Sequence, residues 1–508
     1  MNKVNLHIFI FCLFTISLFS QNNNIKVLKL SAKDSLLEEL YKNTKEQYFK
    51  FKIKDKNEIE KLTLFLSIDN VKKDSVFAYA DKEGFKKFLY SDYEYVLLTK
   101  PSQVYKKQRI LKCKNSKKKI DDWNFYPSYS LYEQILKDFR DEFPDFCSID
   151  TIAVLSSGRK LLAAVIKDTD KVTTLKPSVI LSGTIHGDEP LGCVLLLHLI
   201  DSILRGYAVE PEIKDMVKKM NIFICPLENP DGMYSGGDNN IYLATRFNAN
   251  GVDINRNFPD PALGAHPDGK QWQDETVALM NYYKKIFFVL SGSIHGGAEV
   301  FNYPWDTWSR LHPDDAWWQC VGRKYVDTVH KYSPSGYFTD LDNGITNGYQ
   351  WYTVKGGKQD YLNYFLHTRD ATIEISDIKM PYYNNISNYW SYNYRSFFNF
   401  LRQVFYGING RIIDSTTNIP VRAKIFIKNY DKDSSHIYSS ALDGSFFRPL
   451  SSGIYNLIIT APGYDSVFLN NIELQGACNS SEFLLVKLNP VGVKSDRTVF
   501  IKNDITIN

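Results

Sequence analysis

Between Trp123 and about Val404 the sequence alternates short apolar runs with stretches of helical length, and this restricts the fold more than any other feature. Ser178–Leu181, Asn221–Cys225, Phe287–Ile294 and Ala371–Ile375 read as buried strands, and Pro190–Leu204 reads as an apolar helix. Strands covered on both faces and joined by helices predict a single α/β domain over 122–404, of roughly 280 residues. Its sheet is expected to be mixed, mostly parallel and flanked by helices.

The flanking regions have a different texture. Over 25–102, strand-like Gln47–Ile53, Ser75–Ala80 and Glu94–Thr99 alternate with amphipathic Glu58–Leu66 and Lys82–Leu89, which predicts a small α+β unit. A basic stretch at 103–121 carries Lys106, Lys107, Arg109, Lys112, Lys114, Lys117, Lys118 and Lys119. So dense a like-charge block reads as an exposed linker and as a cleavage site for an activating trypsin-like protease. Over 405–490, Gly407–Asp414, Ala423–Ile427, Ile437–Ser440, Ile454–Thr460 and Phe483–Leu488 are short β-rich runs broken by Gly, Asp and Pro, as in a small antiparallel β-sandwich. Residues 491–508 read as a tail, and no internal repeat is visible.

At the N-terminus, Asn2-Lys3 precedes an apolar run from His7 to Phe19. A run of that length suits a secretory signal over 1–20 and is too short to span a bilayer, so the mature chain is expected outside the cytoplasm, secreted or periplasmic. No later stretch reads as a membrane span. Export permits disulfides among Cys113, Cys147, Cys193, Cys225, Cys320 and Cys478, but the spacings reveal no pairing; Cys193 and Cys225, within apolar runs, read as buried thiols. A net charge of +4 over 508 residues is too small for an electrostatic nucleic-acid binder. Disorder is disfavoured by 33 Tyr, 32 Phe and 8 Trp, which supply ample surface to bury.

The polar residues at the ends of the apolar runs carry the chemistry. Thr184-Ile185-His186-Gly187-Asp188-Glu189 falls between a strand and a helix, where His186 and Glu189 can face one cation. His295, followed by Gly296-Gly297, ends another strand-like run at the edge where α/β sheets place their sites. Two His and one Glu leave a zinc coordination position open, the arrangement of a catalytic site. Glu374, an acid within the apolar run Thr372-Ile373-Glu374-Ile375, suits the general base that takes a proton from attacking water and hands it to a leaving amine. The loop from Arg246 to Phe258 adds Arg246, able to stabilise an oxyanion, and the pair Asn255-Arg256, able to grip a carboxylate. Taken singly, each of these has an ordinary structural explanation.

Together they form a spaced set: His186-Gly187-Asp188-Glu189, Asn229-Pro230-Asp231-Gly232, Asn255-Arg256-Asn257-Phe258-Pro259, His295-Gly296-Gly297, Asn302-Tyr303-Pro304 and Gly356-Gly357-Lys358-Gln359-Asp360. In this set the chain resembles the zinc carboxypeptidases of the carboxypeptidase A superfamily, most closely the regulatory N/E branch, from roughly Trp123 to Tyr464. The resemblance implies one zinc per chain on His186, Glu189 and His295, with Glu374 as general base. It implies Arg246 for the scissile carbonyl and oxyanion, Asn255 and Arg256 for the substrate's terminal carboxylate, and Tyr352 as the tyrosine that covers the bound terminus. Asp306 and Gln359 match the positions that give N/E enzymes their preference for C-terminal Lys or Arg, and a carboxylate in a partly desolvated pocket is suited to such cations. The branch also carries a transthyretin-like sandwich after its catalytic domain, and Gly410-Arg411 through Ala461-Pro462-Gly463-Tyr464 looks like one.

The chain departs from that branch in two places. Asp188 stands where the branch often has Asn. The 25–102 unit with its basic linker looks more like the propeptide of the digestive A/B branch, which would make the protein a zymogen; a permanent accessory domain is the alternative. The implied activity is removal of single C-terminal residues, Lys or Arg, from peptides and proteins. Its rivals are a cell-wall peptidase acting on diaminopimelate-containing stem peptides and, in another class, a non-catalytic binding protein on a peptidase fold.

Overall fold

The computed structural model describes residues 33–105, 107–113, 120–168, 175–493 and 501–502. The expected signal segment, Lys106, Lys114 and Lys117 to Lys119 lie outside the described residues. The chain divides into 1–44, whose described part contains a helix over 33–41, and Lys45–Asn508, which holds everything below.

The first part of the larger unit is an antiparallel four-stranded sheet of β1 (Gln47–Lys52), β2 (Ser67–Lys72), β3 (Ser75–Ala80) and β4 (Tyr95–Leu97), in the order β2-β3-β1-β4. Glu58–Leu62 and Lys82–Leu89 are helical; Asp81 caps the second by accepting a hydrogen bond from Gly84 N at 2.7 Å. Phe49, Phe85 and Phe88 pack together in the core of this module. The strand β2 has no counterpart in the sequence-based expectation. Its sequence, Ser-Ile-Asp-Asn-Val-Lys, is too polar to read as a buried run, yet Ser67, Ile68 and Asn70 are buried. Short strands β5 (Ile110–Leu111) and β6 (Tyr126–Pro127) then lead into the largest sheet.

That sheet has eight strands, β7 (Cys147–Val154), β8 (Lys160–Ile166), β9 (Ser178–Gly183), β10 (Asn221–Cys225), β11 (Leu290–His295), β12 (Ala298–Tyr303), β13 (Ile345–Asn347) and β14 (Arg369–Ser376), in the order β13-β12-β14-β11-β9-β10-β8-β7. The pairings β10–β9, β9–β11, β11–β14 and β12–β13 are parallel and the others antiparallel, as the mixed, mostly parallel expectation has it. Alternation along the strands builds a core on each face. Val179, Leu181, Ile222 and Ile224 join helices Leu191–Val209, Asp315–Tyr332 and Ile386–Leu401, while Ile180, Phe223 and Cys225 face helix Asp274–Ile286. The Leu191–Val209 helix, expected as an apolar helix over Pro190–Leu204, is long and apolar enough to pass for a membrane span, but two thirds of its apolar window is buried inside the fold, as in a core helix.

The last strands are β15 (Gly407–Asp414), β16 (Lys424–Ile427), β17 (Ile437–Tyr438), β18 (Ser445–Arg448), β19 (Gly453–Thr460), β20 (Val467–Leu474), β21 (Ser481–Leu488) and β22 (Ile501–Lys502). They form two four-stranded sheets around a shared core, β18-β15-β21-β22 and β17-β16-β19-β20. The sandwich is not purely antiparallel, because its first long strand, β15, runs parallel to β21 near the chain's end. It is tied to the larger sheet's domain by the disulfide Cys320–Cys478 and by a buried ion cluster. In that cluster Asp314 accepts from Arg369 and Arg448, and Arg448 also pairs with Asp431 at 2.8 Å. Cys147, Cys193 and Cys225 are buried thiols.

Candidate metal centre and cleft

The adjacent parallel strands β9, β11 and β14 bring the chemistry to one edge. After β9 the chain turns at Thr184, whose hydroxyl donates to Glu189 O and accepts from Cys193 N, both at 3.1 Å, fixing the turn that presents His186 and Glu189. Gly187 is required there, because a Cβ would collide with the backbone of Gly232 and Met233. His295 ends β11 and lies opposite Glu374 in the parallel register with β14. The two imidazoles converge on one carboxylate: His186 Nδ1 lies 2.9 Å from Glu189 Oε1, and His295 Nδ1 lies 3.0 Å from Glu189 Oε2. Within the trio, one donor atom from each residue lies within 4.8 Å of the others, and all three side chains are buried. Two imidazole nitrogens and one carboxylate, withdrawn from solvent, are a donor set that fits zinc.

The surrounding charges suit that role. Burial holds the His295 imidazole down at about 4, so its nitrogen is free to ligate. Burial works against ionisation of Glu189, but Lys379, His186 and His295 outweigh it and hold the carboxyl well below its ordinary range. Asp253 Oδ1 lies 3.3 Å from His186 Nε2 while its Oδ2 accepts from Arg246 Nε at 3.1 Å, so one carboxylate orients both groups. Burial, followed by the neighbouring Glu189, pushes the Glu374 carboxyl well above its ordinary value. Glu374 Oε2 is buried without a hydrogen-bond partner.

Every residue assigned a catalytic, substrate-binding or metal role from the sequence lines this one cleft except Gln359, which donates to Asp306. Asp306 Oδ1 accepts from Asn302 Nδ2 at 3.2 Å and from Gln359 Nε2 at 3.0 Å, and burial pushes the Asp306 carboxyl up to about 7. Gly348 forms the opposing wall, where a Cβ would overlap Asp306 Oδ1. Asn255 Oδ1 accepts from Lys358 N at 2.9 Å, while the buried Arg256 Nε has no partner.

Sequence reasoning missed the groups that face the cleft from β2 and its neighbours. Asp69 Oδ1 lies 3.1 Å from Arg246 Nη1 and 2.6 Å from Lys379 Nζ. Ser67 Oγ accepts from Arg246 Nε at 2.7 Å, and Ile68 O accepts from Arg256 Nη2 at 2.7 Å. Tyr352 donates to Asp69 O at 3.3 Å, and Tyr79 donates to Asp188 Oδ2 at 2.6 Å. Lys379 was missed too; its Nζ lies 2.7 Å from Glu189 Oε1. Nothing in the sequence around Asp69 marks it, whereas Asp253 stands within the Arg246–Phe258 loop itself.

The comparisons agree with this geometry. The chain is 32% identical to carboxypeptidase D of Mus musculus over 372 residues, 70% of this chain and 26% of that protein, so it spans about a quarter of that relative's length. It is 31% identical to carboxypeptidase M of Mus musculus over 359 residues, 68% of this chain and 80% of the other. Its fold resembles the crystal structure of carboxypeptidase A from Helicoverpa armigera, with a TM-score of 0.54 at 16% identity, covering 70% of this chain and 97% of that one. Residues 132–396 match the zinc carboxypeptidase family, and the chain belongs to it.

Proposed function

We propose that this protein is an exported zinc metallocarboxypeptidase that removes a single C-terminal Lys or Arg from peptides and proteins. The observation that carries the reading is one cleft in which the His186–Glu189–His295 trio, Glu374 and Arg246 stand with a buried anion, Asp306. His186, Glu189 and His295 would hold the zinc, whose chemistry there would be Lewis-acid activation of water and of the scissile carbonyl. Glu374 takes the proton of the attacking water and delivers it to the departing amine, so that one peptide bond and one water become a carboxylate and an amine. Arg246 stabilises charge on the carbonyl oxygen. Arg256 and Asn255 bind the terminal carboxylate, Tyr352 covers it, and Asp306, steadied by Asn302 and Gln359, pairs with the ammonium or guanidinium of the departing residue.

The module over 25–102 acts in this reading as an inhibitory propeptide. Arg246, Arg256 and Tyr352, the groups a substrate would use, are engaged by Ser67, Ile68 and Asp69, which supports it. Cleavage in the 103–121 linker by a trypsin-like protease would free the 122–404 domain, with the 405–490 sandwich as its packed support and 491–508 as a tail. The Cys320–Cys478 disulfide suits an oxidising compartment, as export through a 1–20 signal requires.

The test is hydrolysis of matched peptides ending in Arg, Lys, Phe or Ala, with and without a chelator, before and after limited trypsin treatment. Chelator-sensitive release of Arg and Lys alone, rising after trypsin, is the expected result. Release of Phe or Ala at equal rates would remove the basic specificity. Full activity before trypsin would remove the propeptide.

A further inference from the structure

Asp306 can serve a substrate cation only from a fixed place, and three consecutive residues at the start of helix Lys358–Phe365 bear on that place. Lys358 N donates to Asn255 Oδ1 at 2.9 Å, so the helix begins on a group assigned to the substrate's terminal carboxylate. Gln359 Nε2 donates to Asp306 Oδ1 at 3.0 Å. Asp360 takes the backbone of the same loop. Its Oδ1 and Oδ2 accept from Asp306 N at 3.0 and 3.1 Å, and Oδ2 also accepts from Thr307 N at 2.8 Å.

An acid in the first turn of a helix ordinarily serves the free N–H groups of its own helix. Asp360 instead gives both oxygens to residues 54 and 53 positions earlier in the chain. It is 1% exposed and is not among the residues that line the cleft, so it reaches a substrate only through Asp306. Two successive N–H groups converging on one carboxyl set the direction in which the Asp306 side chain leaves the backbone. That side chain has little room to adjust: a Cβ on Gly348 would stand 1.7 Å from Asp306 Oδ1, and Asn302 Nδ2 donates to the same oxygen at 3.2 Å. Asp306 and Thr307 are buried, so without Asp360 their N–H groups would lose their acceptor and the loop would move to find another.

We propose that Asp360 is a positioning residue for substrate specificity: through the N–H groups of Asp306 and Thr307 it holds the Asp306 carboxylate at one depth in the cleft, and so sets the length of basic side chain that is accepted. The inference rests on the reading of Asp306 as the cation's partner and deepens it. The favoured C-terminal residue carries its cation at the reach of Lys or Arg, and ornithine, one methylene shorter than Lys, falls short of a fixed carboxylate. Loss of a charge-assisted hydrogen bond corresponds to about ten- to a hundredfold in rate or affinity.

The experiment uses the full chain after limited trypsin treatment. Matched peptides ending in Arg, Lys, ornithine or Ala are compared, with kcat and KM determined separately. Wild-type protein is expected to take Lys at least about tenfold better than ornithine, mainly in KM. Asp360→Asn keeps one acceptor oxygen and Asp360→Ala keeps none, so the Lys-to-ornithine and Arg-to-Ala ratios should both fall in that order, through KM for the basic peptides. Equal rates on Lys and ornithine by the wild type would overturn the inference, with no dependence on how a variant folds. Wild-type ratios surviving in Asp360→Asn would overturn it as well, and so would a loss shared equally by the Ala-terminated peptide, the mark of a merely structural role. Wild-type release of Ala as fast as Arg would defeat the basic-specificity reading and the inference with it, whereas preference for Arg and Lys without discrimination against ornithine defeats the inference alone.

Discussion

Asp69 Oδ1 and Arg246 Nη1 lie 3.1 Å apart, both side chains are nearly inaccessible to solvent, and 177 positions of sequence separate them. The contact joins the edge strand of the N-terminal module to the loop beneath the metal trio. Lys379 reaches the same carboxylate oxygen at 2.6 Å, so a single acid of the module pairs with two cations of the cleft, which also hold Asp253 and Glu189. Removing one partner of a buried ion pair costs at most about 3–5 kcal/mol, and less here because Arg246 keeps Asp253 and Lys379 keeps Glu189. Asp69→Asn therefore weakens the seat of the module. Uncleaved Asp69→Asn protein is expected to hydrolyse Arg-terminated peptides at least about tenfold faster than uncleaved wild type, while the two match after trypsin. Equal rates before cleavage would show that the module does not hold the cleft through Asp69.

Asp306 gives the cleft a pH dependence of its own. Burial raises its carboxyl to about 7, so the free enzyme protonates it as pH falls through that value. A neutral acid has no charge to offer a guanidinium, and a bound guanidinium pulls the pKa back down. KM for Arg-terminated peptides is therefore expected to rise below about pH 7 with little change in kcat, whereas KM for an Ala-terminated peptide stays flat. Steady-state kinetics from pH 8 to pH 5.5 would decide it, and parallel curves for the two peptides would exclude Asp306 as the cation's partner.

Glu374 can be separated from the metal trio. It faces His295 across the strand register but is not one of the three convergent donors. Glu374→Gln should retain zinc at one equivalent per chain, measured by metal analysis, while kcat falls about 10²- to 10⁴-fold. Loss of zinc in that variant would place Glu374 among the ligands. Retained turnover would end its role as the base.

The legible parts of this molecule were those where chemistry forces residues to the same ends of parallel strands. His186, Glu189 and His295 follow or end apolar runs, and Glu374 interrupts one, so strand periodicity and residue type together put them on one edge. Asp306 and Gln359 depended on family resemblance, since neither has a local signal. The strand β2 could not be read, because its Ser, Asp and Asn are buried by contact with a distant cleft and not by any apolar pattern of their own. Lys379 stayed hidden for the same reason, as its partners come from two distant places in the chain, Asp69 and the Asp188–Glu189 pair. The parallel β15–β21 pairing and the Cys320–Cys478 bridge are likewise long-range, joining segments with no shared local pattern.

The joint between the large sheet's domain and the sandwich yields a stability prediction that does not depend on the substrate. Asp314 is fully buried and takes Arg369 Nη2 and Arg448 Nη2 at 2.8 Å each, the first from the domain of the large sheet and the second from the sandwich. Burial opposes its ionisation, but Arg448 and Arg369 prevail and hold the carboxyl well below the ordinary aspartate value of 3.8. A depressed acid stabilises the folded state above its unfolded pKa, and that contribution is lost as pH falls through the folded value. Asp314→Asn leaves both guanidinium groups, less the share of Arg448 taken by Asp431, facing a neutral amide in a dry interface. The variant is expected to lose about 3–5 kcal/mol of unfolding free energy at pH 7, read from urea denaturation, and the gap from wild type should narrow below about pH 4. A loss under about 1 kcal/mol, or a gap that widens on acidification, would mean that the cluster does not hold the two domains together.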